Sequence, residues 1–295
     1  MATMVGKGRG IATLPGGRFA AFVSGTNKAA VWDPASPARP ICEYTGHAAE
    51  VSCVASLPDN LVASGSGDSS SGSGDSDVHL WKADTGAHVA TLQGHTDVVL
   101  VLAVLSDGRL ASGSLDCTVR LWDLSNPGSA PRELNHDCHI HALAVLDGGI
   151  LACAGNYQIV CLWDVKSASA EPTCLAQLEG HTDDVRSLAA LPQGLLASGS
   201  DDKTVRVWNV AVRTCVAVLQ GHTGEVCALA ALPDGRLASG SSDEDGEIRV
   251  WELRPQTQAE AQAEAQRQAD AQRQAEAQSK RQAELEKKKQ ECVLQ

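Results

Sequence analysis

Along residues 180–219, apolar and polar positions trade places in four short blocks. Residues 185–191 (Val-Arg-Ser-Leu-Ala-Ala-Leu) are mostly apolar and end at the turn formers Pro192, Gln193 and Gly194. Residues 195–199 (Leu-Leu-Ala-Ser-Gly) resume the apolar pattern, residues 204–208 (Thr-Val-Arg-Val-Trp) alternate, and residues 215–219 (Cys-Val-Ala-Val-Leu) close the unit. Alternation with period two is what a strand with one exposed face needs, and blocks this short between turn formers are strands, not helices. The unit therefore predicts four antiparallel strands joined by turns. Residues 51–92, 99–134 and 140–178 read the same way, and residues 11–44 do so with more departures. The last unit starts at Val226 and stops after Trp251, without an outer strand. The opening residues Ala2-Thr3-Met4-Val5-Gly6-Lys7 resemble Ala90-Thr91-Leu92-Gln93-Gly94-His95. They are expected to supply the missing strand and so remove an open sheet edge.

Two marks fix the period. Trp32, Trp81, Trp122, Trp163, Trp208 and Trp251 lie 49, 41, 41, 45 and 43 residues apart. Upstream stand Gly46-His47, Gly94-His95, Gly180-His181 and Gly221-His222, with Asn135-His136 in one unit. A repeat of this length built from four short strands predicts a propeller blade. Together the Gly-His and Trp-Asp-like pairs resemble the WD-repeat family of β-propellers. The expected fold is all-β: a six-bladed propeller of four-stranded antiparallel blades over residues 1–254, closed by the N-terminal segment, followed by a helical or disordered tail over 255–295.

Histidine, serine, aspartate and tryptophan recur together in four units. The sets are His47, Ser64, Asp75 (or Asp68) and Trp81; His95, Ser112, Asp116 and Trp122; His181, Ser198, Asp202 and Trp208; and His222, Ser239, Asp243 (or Asp245) and Trp251. A catalytic Ser-His-Asp set is needed once, so four copies indicate construction. The resemblance implies that each set is a hydrogen-bonded network within its blade, and such networks rigidify when every member is paired. Two units depart. The first has no Gly-His pair and carries Thr26 and Asn27 where aspartate is expected, and the fourth has Cys153 for serine and Tyr157 for aspartate.

Charge narrows the partners. Acidic residues outnumber basic ones 36 to 24, and the net charge is −12. The tail from Gln256 is balanced, so the excess falls on the body, which repels phosphate backbones and excludes nucleic acid as the main partner. Neither a spanning apolar run nor a secretory leader is visible. The ten cysteines show no disulfide framework and read as small buried hydrophobes in a reducing compartment, the cytoplasm or nucleus. His136, Cys138, His139 and His141 invite a zinc proposal, but on a strand 139 and 141 share a face that 138 does not. No metal or cofactor is expected. The acidic loop 243–247 lacks the ligand series of a calcium site, and the Ser/Gly/Asp-rich stretch 65–77 reads as an expanded turn. Phosphate-cradling loops and nucleophile elbows are absent from the sequence.

After Pro255 a six-residue Gln-Ala-Glu-Ala-Gln-Arg unit repeats. Such residues favour helix, but a six-residue repeat rotates its positions by about 120° each time, so no continuous apolar stripe forms. Glu264, Arg267, Asp270, Arg273 and Glu276 alternate in sign, as on a solvated spacer helix. The final Cys292-Val293-Leu294-Gln295 matches a prenylation box, and Lys287, Lys288 and Lys289 stand upstream; lipidation there would give reversible membrane contact.

The function expected is a non-enzymatic protein-interaction scaffold, monomeric within larger complexes, whose acidic face takes basic segments of other proteins. The contact residues expected are Glu50, Asp97, His139, Asp184 and Glu225, with Arg186 and His141 near the central channel and Tyr157 on the divergent fourth unit. The alternative is a substrate receptor of a cullin-type ubiquitin ligase, because Asp245, Trp251, Glu252 and Arg254 resemble the box by which some WD-repeat proteins dock on the ligase adaptor.

Overall fold

A computed structural model describes residues 10–23, 25–67, 75–166, 171–242 and 246–253. The expected closing segment 1–7, Asp68, Asp243, Asp245, Arg254, the tail and Cys292 lie outside the described residues. The described chain is all-β: twenty-three strands and two single turns of 3-10 helix, at Pro15–Gly17 and Pro192–Gly194.

The strands form six antiparallel sheets in chain order. The first sheet holds β1 (Ile11–Thr13), β2 (Phe19–Phe22), β3 (Ala29–Trp32) and β4 (Cys42–Tyr44). The second holds β5 (Val51–Leu57), β6 (Leu61–Ser66), β7 (Val78–Lys82) and β8 (His88–Leu92). The third comprises β9 (Val99–Val104), β10 (Leu110–Ser114), β11 (Thr118–Trp122) and β12 (Arg132–Asn135). In the fourth are β13 (Ile140–Leu146), β14 (Ile150–Gly155), β15 (Ile159–Asp164) and β16 (Thr173–Glu179). The fifth contains β17 (Val185–Leu191), β18 (Leu195–Ser200), β19 (Val205–Asn209) and β20 (Thr214–Leu219). The sixth is three-stranded: β21 (Val226–Ala231), β22 (Leu237–Ser241) and β23 (Ile248–Trp251). The fold is a six-bladed propeller, with five complete blades and a sixth that has no outer strand among the described residues.

The first strand of each blade is innermost, and one central cavity of ≈ 240 Å³ is lined by residues of all six, from Ile11 to Leu229. Blades pack face to face through five apolar clusters, one for each successive pair from first–second to fifth–sixth. Each cluster follows from the alternation in the third strand. Val78 and Leu80, Val119 and Leu121, Val160 and Leu162, and Val205 and Val207 all face the next blade and are 0–3% exposed. Burying one such pair fully contributes about 3–6 kcal/mol at about 1.5–3 kcal/mol per side chain.

The cysteines correct one expectation. Cys53, Cys153 and Cys215 are buried, but Cys174 and Cys227 are exposed. Cys227 takes the strand position of Cys53 but belongs to no apolar cluster among the described residues.

Candidate functional site

Each repeated set is drawn together by the blade's own register. In the third blade β10 brings Ser112 into the sheet, and β11 ends on Trp122, whose indole Nε1–H donates to Ser112 Oγ at 2.8 Å. His95, on the corner before the blade, places Nε2 2.6 Å from the same oxygen and Nδ1 2.7 Å from Asp116 Oδ2. The fifth blade repeats this with His181–Ser198 at 2.7 Å, His181–Asp202 at 2.7 Å and Trp208–Ser198 at 2.7 Å. In both, the carboxylate also accepts from the backbone N–H and hydroxyl of the turn threonine, Thr118 or Thr204. Burial pulls the Asp116 and Asp202 pKa values upward, but the hydrogen bonds from histidine and threonine outweigh it and hold both carboxyls well below the ordinary range.

The second and sixth blades keep the serine centre and loosen the acidic end. His47 and Trp81 reach Ser64 at 2.8 and 3.1 Å, while Asp75 stands 3.4 Å from His47 Nδ1 and accepts the Ala48 and Ala49 amides. His222 and Trp251 reach Ser239 at 2.6 and 2.7 Å. The described carboxylate near His222 Nδ1 is Glu247, at 3.7 Å. Each serine sits inside a blade wall with its hydroxyl spent on two neighbours, so none has a free face for a substrate.

At one end of the inner strands the geometry is different. Glu50, His139, Asp184 and Glu225 directly precede β5, β13, β17 and β21, so they ring the same mouth of the channel. Arg186 and His141 line the central cavity itself. The Arg186 guanidinium donates to both Asp201 oxygens, through Nε at 3.0 and 2.8 Å and Nη2 at 2.6 Å. Its Nη1 reaches His141 Nε2 at 3.2 Å and Asn156 Oδ1 at 3.4 Å, and Asp184 stands 3.3 Å from Nη2. His141 Nε2 also meets Asn156 Oδ1. Asp183, Asp184 and Asp201 cluster here, and Asp184 and Asp201 face the Arg186 guanidinium. Burial raises the Asp184 carboxyl; Arg186 opposes the rise, and Asp201 and Asp183 reinforce it.

Two of the expected acidic contacts are engaged with backbone amides. Asp97 caps the start of β9 by accepting the Val98 amide at 2.7 Å, and Glu50 accepts the Gly25 amide at 2.6 Å. Tyr157 is half exposed on the fourth blade.

The description "WD domain, G-beta repeat" matches residues 38–82, 86–123, 172–209 and 213–252, which together make up more than half of the sequence. The chain belongs to the WD-repeat family. It is also similar to the nuclear distribution protein PAC1 of Arthroderma otae, 34% identical over 66% of this chain and 48% of that protein. Shorter stretches are similar to two ribosome biogenesis proteins. The BOP1 homolog of Drosophila virilis is 61% identical over 11% of this chain and 4% of its own length. ERB1 of Scheffersomyces stipitis is 50% identical over 12% of this chain and 5% of its own. The chain thus spans about half of PAC1 and a small part of the other two.

The four matched WD repeats are those that own a histidine, a serine and a tryptophan in contact. The skipped stretch carries the fourth blade, where Cys153 replaces the serine. There the buried Nε2 of His136 and Nε1 of Trp163 have no hydrogen-bond partner. In the first blade Ala21 and Ala30 are among the small buried residues that fill the same sheet.

A second cluster was missed from sequence. His79 stands where the other WD repeats carry Arg120, Arg206 and Arg249, two positions before the tryptophan. It stacks on His47 with ring centroids 4.0 Å apart and planes 11° from parallel. Tyr44, from the first blade, puts its hydroxyl 2.8 Å from His79 Nδ1 and 2.9 Å from His88 Nδ1. His47, Asp75 and His79 are close enough together to hold an ion. The stack rules this out as it stands, because a metal must lie in the plane of each ligating imidazole and two parallel rings offer no common point. The substitution of His79 for arginine was the available signal. Its partner Tyr44 becomes visible only when blades are set side by side.

Proposed function

We propose that this WD-repeat protein is a non-enzymatic interaction scaffold whose channel mouth binds basic segments of other proteins. The observation that carries the reading is the cluster of Asp183, Asp184 and Asp201, two of which face the Arg186 guanidinium, with Glu50 and Glu225 on the same rim. Five carboxylates against one arginine leave a negative field at a concave mouth, and such a field speeds and orients a cationic partner. The repeated His-Ser-Asp-Trp sets support a non-enzymatic reading, since each serves its own blade wall. The printed names of the relatives point to nuclear distribution and to ribosome biogenesis, so likeness alone selects no pathway. The ligase-receptor alternative gains no support from Trp251, whose indole is committed to Ser239.

The test is fluorescence anisotropy with a labelled lysine-rich peptide. Asp183→Asn with Glu225→Gln is expected to weaken binding by about tenfold and to flatten its salt dependence. Affinity indifferent to both charge and salt would end the proposal.

A further inference from the structure

Three positions that break the repeat meet at one oxygen. On the outer strands, Tyr44 takes the register place of Leu92, Leu178 and Leu219. His79 replaces the arginine found as Arg120, Arg206 and Arg249. His88 lies opposite Trp81 across β7 and β8, where the fifth blade sets Cys215 opposite Trp208. Each departure alone reads as drift. Together they place the Tyr44 hydroxyl 2.8 Å from His79 Nδ1 and 2.9 Å from His88 Nδ1. The fifth blade holds Arg206 and Cys215 at these places, with Nη1 and Sγ 3.8 Å apart, and Leu219 brings no polar atom to join them.

The donor chemistry is that of a transition-metal site. Imidazole suits zinc, copper and nickel, whereas calcium and magnesium take oxygen ligands. Ring geometry agrees, because a metal must lie in the plane of each imidazole it binds. The His79 and His88 planes cross at 76° with centroids 5.5 Å apart, so the two rings can share a point. The stacked His47 and His79, only 11° from parallel, cannot. Tetrahedral zinc holds nitrogen at about 2.0–2.1 Å, which sets the centroids of two ligating imidazoles about 5 Å apart. Both Nδ1 atoms are already aimed at the Tyr44 oxygen. A shift of roughly 1 Å turns that oxygen from hydrogen-bond partner into third ligand.

Rigidity and access are divided as such a site requires. Tyr44 and His79 are 4% and 8% exposed, and Tyr44 stacks on Trp81 with centroids 5.3 Å apart and planes 3° from parallel. His88 is exposed on the outer strand β8, which gives an ion its path in and leaves room for water as a fourth ligand. His88 Nε2 stands 3.4 Å from Thr91 Oγ1. Donation from Nε2–H to that hydroxyl turns the Nδ1 lone pair toward the shared point. We propose that Tyr44, His79 and His88 bind a divalent transition-metal ion of the zinc type, which pins the outer strand of the first blade to the second. Sequence alone predicts no metal here, because 35 and 44 residues separate Tyr44 from the two histidines.

The test uses the untagged full chain, stripped with a chelator and titrated first with cobalt(II) and then with zinc(II). The expected result is one cobalt per chain, with tetrahedral ligand-field bands and without a thiolate charge-transfer band. Zinc should displace the cobalt and raise the melting temperature. His88→Ala alters an exposed side chain, and its circular dichroism in metal-free buffer verifies the fold. It should weaken binding at least about tenfold and abolish the zinc-induced rise. Tyr44→Phe keeps the stack on Trp81 and should weaken binding several-fold, since two imidazoles remain. Replacing the exposed thiols, in Cys174→Ser with Cys227→Ser, should leave uptake unchanged. The proposal is overturned by absence of stoichiometric uptake, by a thiolate band, or by loss of uptake in the double serine variant. It is equally overturned if His88→Ala or Tyr44→Phe binds with the parent's affinity.

Discussion

Ser112 shows how much of a blade rests on one oxygen. It accepts the Trp122 indole N–H and donates to His95 Nε2, which leaves the histidine Nδ1–H to donate to Asp116, so every buried polar atom of the set is paired. Removing the hydroxyl in Ser112→Ala strands two buried groups at once. The expected loss is about 1–3 kcal/mol, read as a lower urea midpoint with an unchanged slope. The fourth blade is the natural converse. Cys153 is 1% exposed, and the His136 and Trp163 nitrogens that should share a hydroxyl there are unpaired. Cys153→Ser restores that hydroxyl with little change of volume and is expected to stabilise the protein by about 1 kcal/mol. A cysteine-to-serine change in a core ordinarily destabilises, so the sign of this shift is a strict check on the network.

At the scale of the strand and the blade, packing between sheets replaces pairing within them as the deciding interaction. Gly113→Ala pushes a Cβ into Ile140 and Val101 of a closed junction, where both neighbours are fixed, and overpacking of that kind costs about 1–3 kcal/mol. Gly240→Ala meets only Ala228 at 3.7 Å and is expected to be neutral or stabilising, since alanine loses less backbone entropy than glycine in a strand. Thermal melts of the two variants compare a crowded glycine with an uncrowded one. These cases also mark what the sequence could tell. Strand positions, turns and the His-Ser-Trp contacts, joined by aspartate in the third and fifth blades, were legible because each is a local pattern repeated several times, and Val185–Leu191 and Leu195–Ser200 fall where the apolar blocks put them. The stacked His47 and His79, bridged by Tyr44 from another blade, were not legible. No period carries them, and their meeting depends on how adjacent sheets are set. Exposure at Ile248 and Val250 was hidden for the opposite reason: their residue types match positions that are buried elsewhere.

For the whole molecule, buried histidines make stability depend on mild acid. Burial, with a smaller push from His47 and His88 against the pull of Asp75, lowers the His79 pKa from 6.5 to about 4. Burial alone takes His136 to about 4, and Asp137 opposes it weakly. Both groups are held neutral in the fold but titrate near their ordinary value once unfolded. Between pH 6.5 and about 4 the unfolded chain therefore binds more protons, and stability falls as pH drops through that window. The loss levels off below about 4, where both states are protonated. A second decline begins there, because Asp116 and Asp202 have carboxyls held below their ordinary 3.8 in the fold, and their contribution disappears as they protonate. The two origins separate by mutation. His79→Gln keeps a polar group beside Tyr44 without a titrating nitrogen, so it should lessen the dependence of the melting temperature on pH between 6.5 and 4, leaving the share that belongs to His136 and the lower decline in place. Melting curves of His79→Gln and the parent protein that stay parallel across the upper window would place its acid sensitivity outside the Tyr44–His79 junction.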